Sequence, residues 1–152
     1  PGDAYSQTQR GGYMMTVKEY LGQAYRLDQR INSKLEQLES LNGLATKCTS
    51  TLTGMPKNPS RSTSMMADAV AKIVDLQAEI NHDIDLLVDL KCEMVRVIKN
   101  VDHAEYQTLL ELRYLCFKTW EQIAVDMNYS IDNVYRIHRK ALCAVNLPKS
   151  IQ

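Results

Sequence analysis

Residues 119–139 read TWEQIAVDMNYSIDNVYRIHR, and this stretch decides the fold. Thr119 followed three residues later by Gln122 is the signature of a capped helix start. Ile123, Ala124 and Met127 supply the inner face of that helix. Ala124 is the small residue that two short helices need where they cross closely. Asn128 and Tyr129 make a turn, because asparagine tolerates the left-handed backbone that glycine often provides. Ser130 opens the next helix with Asn133 three residues on, and Val134 and Ile137 face back toward the first. Trp120, Ile123, Ala124, Met127, Tyr129, Ile131, Val134 and Ile137 are thus the expected core of a helix-turn-helix. Trp120 is expected to anchor that core beside Tyr114 or Phe117.

In such a unit the second helix enters the major groove of DNA with its N-terminal end nearest the bases. Its outer side offers Asp132, Asn133, Tyr135 and Arg136 as base readers. Arg136 suits guanine or phosphate, Asn133 suits adenine, and Asp132 suits cytosine or the orientation of Arg136. Lys118, Thr119, Ser130, His138, Arg139 and Lys140 are the phosphate candidates, with His138 expected at the surface. Three basic residues against one acid between Ser130 and Val145 make a local positive patch. That patch matters because the 152-residue chain has 18 Lys plus Arg against 18 Asp plus Glu, a balance that excludes avid binding through overall charge.

Upstream, the periodicity predicts two long helices. From Thr16 to about Thr46 a seven-residue series runs Val17, Ala24, Ile31, Leu38 and Ala45, with Lys34, Asp28 and Asn42 interrupting its edges. From Met65 to about Asn100 a second series runs Met66, Ile73, Ile80, Leu87, Met94 and Val101. The stretch 48–64, with two prolines, a glycine and many hydroxyls, reads as the loop between them. Together they predict an all-α fold: a long antiparallel helical hairpin over 16–101, then a compact helix-turn-helix domain over 102–147. That domain would begin with a helix from about His103 to Cys116. Residues 1–15 read as a disordered arm or expression remnant, and 148–152 as a tail. The two stripes exceed what two helices can cover for each other, so a homodimer is expected. Val17, Ala24, Ile31, Leu38, Ile73, Ile80, Leu87 and Met94 are its candidate oligomerisation residues.

The four cysteines, Cys48, Cys92, Cys116 and Cys143, show no metal-ligand spacing and read as reduced, buried thiols. His82 and His103 have no ligand partners in sequence. No nucleophile–base pair or phosphate loop emerges, so no enzymatic activity, metal or cofactor is expected. No apolar run is long enough to span a membrane, and a cytoplasmic location is expected.

The run Leu109 to Leu142 resembles the last helix-turn-helix domain of bacterial sigma factors. The matching positions are Arg113, Tyr114, Thr119, Trp120, Glu121, Ile123, Ala124, Ser130, Val134, Ile137, Lys140, Ala141 and Leu142. More closely, the chain resembles small phage and prophage proteins of Gram-positive bacteria related to the RinA and ArpU late transcriptional regulators. The resemblance implies control of phage late or packaging genes, with double-stranded DNA as ligand and RNA polymerase as a candidate partner. Ile131 and Tyr135 stand where arginine-rich versions place base readers, so the sigma-type promoter preference does not carry over. Arg136 becomes the main candidate for direct readout. Two other functions fit the same features: a module binding polymerase or another phage factor with little DNA contact, or a small terminase-like packaging subunit.

Overall fold

The computed structural model describes residues 15–50 and 59–148, and among these the protein is all-α, with no strand. Helix α1 spans Val17–Ser50, α2 Pro59–Lys99, α3 Ala104–Leu110, α4 Trp120–Met127 and α5 Ile131–Ala144. A π-helical turn, Glu111–Leu115, continues α3. The expectations for residues 1–14, 51–58 and 149–152 lie outside the described residues.

Both long helices run further than their stripes announce. Residues 48–50 and 59–64, expected in the loop, are helical. Pro59 opens α2, a position where the absent N–H is no loss and the fixed φ suits the helix. At the other start, the Glu19 N–H donates to Thr16 Oγ1 at 3.2 Å while the Thr16 N–H donates to Glu19 Oε2 at 2.8 Å, a reciprocal cap.

Helices α1 and α2 pack along each other, with chain numbers rising on one as they fall on the other. Arg30 pairs with Asp83, and Lys34 reaches Asp83 at 2.8 Å and Glu79 at 3.0 Å. Lys34, which interrupts the first apolar stripe, therefore meets a carboxylate on the second helix. Asp83 is 3% exposed, and the hydrogen bonds from Arg30 and then Lys34 hold its carboxylate down to about 2. A buried charge with two cationic partners penalises any slip that would strand it, so the pair is fixed in register.

The apolar residues expected at a dimer interface are largely used within the chain. Ala24, Ile31, Ile80 and Met94 are buried between α1 and α2 or beneath them. Val17, Leu38, Ile73 and Leu87 are half-buried. The physical reason is that two paired helices of one chain cover each other's seven-residue series. Of the large apolar side chains left exposed on α2, Val70, Val74, Ile84 and Val88 share one stripe, while Met65 and Leu86 lie off it.

One core crosses the expected domain boundary at residues 100–102. Tyr20, Leu21 and Ala24 of α1 meet Met94, Val97 and Ile98 of α2, then Val101, Leu110, Tyr114, Ala141 and Val145. A second core holds Leu109, Ile123, Ala124, Val134 and Ile137. Consecutive residues on a helix point about 100° apart. Leu109 and Leu110 thus serve different cores, and α3 is the wall between them.

Tyr20 is 2% exposed and its hydroxyl has no hydrogen-bond partner among the described residues. Burial, then Glu93, raises its pKa. Replacing Tyr20 with phenylalanine removes an unpaired polar atom while keeping the ring. The expected result is a gain of about 1 kcal/mol, read as a higher urea midpoint. A loss of similar size would reveal a partner for the hydroxyl and refute the assignment.

The cysteines depart from expectation in burial: Cys92, Cys116 and Cys143 are free thiols but exposed, each on a solvent side, and the side chain of Cys48 lies outside the described residues. Among the described residues no helix is long and apolar enough to cross a membrane.

Candidate nucleic-acid interface

The α4–α5 pair is positioned by local bonds that its sequence encodes. Thr119 Oγ1 accepts from the Gln122 N–H at 3.3 Å, and Gln122 Oε1 accepts from the Thr119 N–H at 2.9 Å. Asn128 stops α4 in the left-handed conformation, φ 56° and ψ 45°, and the Tyr129 N–H donates to the Ala124 carbonyl at 2.9 Å. Ser130 then caps α5, its Oγ accepting from the Asn133 N–H at 3.3 Å. The connection between the helices is only Asn128, Tyr129 and Ser130.

Ile123, Ala124, Val134 and Ile137 are buried against Leu109, with Met127 and Trp120 partly buried beside them. Tyr129 and Ile131, expected in this core, are instead 38% and 39% exposed. Tyr129 sits in the turn and its hydroxyl donates to Glu105 on α3, while Ile131 occupies the first position of α5, before the helix turns its apolar face inward. Trp120 makes its contacts with Tyr135 at 5.1 Å, His138 at 4.8 Å and the Arg113 guanidinium at 4.3 Å.

The outer side of α5 carries exposed Asp132, Tyr135, Arg136, Arg139 and Lys140, with Asn133 half-buried. The partner of Arg136 is Asn133, not Asp132: its Nε and Nη2 donate to Asn133 Oδ1 at 3.2 and 2.6 Å. This pairing holds the guanidinium at the N-terminal half of α5. The other phosphate candidates divide. Arg139 and Lys140 are exposed, whereas Lys118 is paired with Asp126 at 2.6 Å, and Thr119 and Ser130 are engaged in capping.

His138 is the main correction. It is 7% exposed, not a surface contact, and its Nε2 lies 2.8 Å from the Tyr114 hydroxyl. Burial first, then the charges of Lys18 and Arg113, push the imidazole down to about 4. Burial likewise pushes the Tyr114 phenol up to about 12. Both groups are therefore neutral near pH 7. The π-helical turn puts Tyr114 opposite His138, and nothing in the local pattern of α5 announces that partner.

Arg113 gains weight beyond the sequence reading. It stacks on Trp120 and its Nη1 donates to the Lys118 carbonyl at 2.8 Å, tying the end of the π turn to the start of α4. Phe117 between them has φ 56°, a left-handed backbone that a bulky residue adopts only under constraint. No group of three or more potential metal ligands occurs among the described residues.

No curated protein and no solved structure matches the chain. A family model described as "Protein of unknown function (DUF1492)" matches residues 61–146, from α2 through the whole of the α4–α5 pair. That match covers more than half of the sequence, and the chain belongs to the DUF1492 family.

Proposed function

We propose that this protein is a sequence-specific DNA-binding transcriptional regulator. In this reading α4, the Asn128–Ser130 turn and α5 form a helix-turn-helix carried on an antiparallel α1–α2 hairpin. The observation that carries the proposal is the two-sided character of α5. Val134, Ile137 and Ala141 fix one side in the core, while Arg136, held by Asn133, stands exposed on the other with Arg139 and Lys140 against a single acid, Asp132. A helix held at its back by packing, with polar and cationic groups at its front, is what major-groove reading requires. The resemblance to sigma-type domains and to phage late regulators supports the same reading, with phage late or packaging genes as targets.

A homodimer fits this function, since two reading helices double a small set of contacts into useful affinity for a chain of zero net charge. The stripe Val70, Val74, Ile84 and Val88 is the surface it would use. Exposed on α2, it keeps a seven-residue spacing from Val70 to Ile84 with Gln77 between, and from Val74 to Val88 with Asn81 between.

The test is selection of the purified protein against a random duplex library at about 0.15 M salt. Enrichment of paired half-sites is expected. On the selected duplex, Arg136→Ala is expected to cost about 1–3 kcal/mol and to relax preference at one position, whereas Lys140→Ala weakens all duplexes alike. Equal loss on every sequence for Arg136→Ala would make it a phosphate contact.

The second reading is a protein-interaction module that contacts RNA polymerase or another phage factor. The exposed apolar stripe on α2, bordered by exposed Asp75, Asp85 and Asp89, favours it. No enrichment from a folded sample would shift weight there.

A further inference from the structure

The side of Trp120 away from α5 opens into a cleft of about 500 Å³ between α1 and the α3–α4 corner. Three cations line it, Lys18 and Arg26 from α1 and Arg113 from the π turn, along with the rings of Tyr25, Phe117 and Trp120. Tyr25 and Phe117 meet edge to face at 5.5 Å, and the Arg113 guanidinium lies over the Trp120 ring at 4.3 Å. Lys91 adds a fourth cation over Phe117 at 4.4 Å. In a chain with no net charge, this is a concentration of positive groups with one acid, Glu19, on the lining. The buried His138 reports the same field, since Lys18 and Arg113 both disfavour its protonation.

The strained backbone at Phe117 lies on the wall of this cleft, the kind of place where strain is retained for a site. Trp120 joins the cleft to the outer side of α5, touching Arg113 on one side and Tyr135 on the other. A ligand running past the N-terminal end of α4 would therefore meet both surfaces.

We infer that this cleft is a phosphate site, formed by Lys18 and Arg26 together with Arg113, and that it holds a backbone phosphate of the duplex flanking the bases met by α5. The assignment of that phosphate to a duplex rests on the proposed DNA-binding function; the site's preference for phosphate does not. Lysine and arginine at the mouth supply the charge, and the aromatic walls cover the flanking sugars. The DNA footprint then extends from α5 onto α1, which no reading of the α4–α5 stretch alone would include.

The test compares the full-length protein with the double variant Lys18→Gln, Arg26→Gln. Both residues are exposed on α1 and glutamine keeps helix propensity, so folding is expected to hold, as checked by circular dichroism. If the wild type binds a random-sequence duplex, the variant's affinity should depend less on salt, its log–log slope smaller by about 1 for the one phosphate released. An unchanged slope overturns the cleft assignment while leaving DNA binding by α5 intact. If the wild type binds no duplex, the DNA-binding reading fails, and inorganic phosphate titrated at constant ionic strength decides the cleft. Trp120 is the only tryptophan, so its emission reports this site. A saturating change in the wild type that is lost in the variant establishes a site for free phosphate. No saturating change overturns it.

Discussion

Replacing Leu110 with alanine is expected to cost about 2–5 kcal/mol of stability, and to lower the unfolding midpoint of every helix together. Leu110 is fully buried where α1, α2 and α5 meet. The truncation opens a cavity that four elements would have to collapse to fill. Because this core spans the chain from Tyr20 to Val145, neither the long helices nor the C-terminal helices should unfold alone. Urea denaturation can be followed by far-ultraviolet circular dichroism, dominated by α1 and α2, and by Trp120 emission from α4. Coincident curves that shift together are the expected result. A shift in the Trp120 curve alone would mean that the two halves do not share a core.

The second large effect is on pH dependence, through His138. Its folded pKa, about 4, lies below the ordinary 6.5. Between those values the unfolded chain binds a proton that the folded chain refuses. The stabilisation is therefore fully present above pH 6.5 and is lost as pH falls toward 4. The amount is about 2–3 kcal/mol once partial solvent screening is allowed for. The imidazole faces neutral Tyr114 and the ring of Trp120, and the charges that act on it are the cations Lys18 and Arg113, which add to the effect of burial. His138→Gln should flatten the stability profile between pH 4.5 and 7 while leaving the steeper loss at lower pH. That lower loss includes Asp83, whose stabilisation disappears as pH falls from 3.8 to about 2. Parallel profiles for wild type and His138→Gln would refute the assignment.

The parts of this structure that the sequence made legible are those set by neighbours in the chain. Thr119 with Gln122, Asn128 in the turn and Ser130 with Asn133 each act over three residues, and each does in the structure what its type suggests. The inner residues Ile123, Ala124, Val134 and Ile137 were legible for the same reason, through helical spacing. What escaped was set at long range. His138 looks like any polar residue on α5 until Tyr114 arrives across the fold. Lys34 looks like a flaw in its stripe until Asp83 pairs with it from the other helix. The stripes themselves cannot say whether their complement is in the same chain, so residues such as Ala24 and Met94 read equally well as a dimer seam. The left-handed Phe117 and the cleft beside it carry no local signal at all, because aromatic residues do not mark that backbone conformation.

The register-locked pair of long helices also has a mechanical side. Helix α2 alone has 41 residues, and it is welded at its base to the core beneath α5. At 1.5 Å per residue it is a tiller about 60 Å long, and a tilt of about 5° at the base carries its far end through about 5 Å. Whatever grips that far end therefore steers, with considerable leverage, the angle at which the short helices address anything they bind.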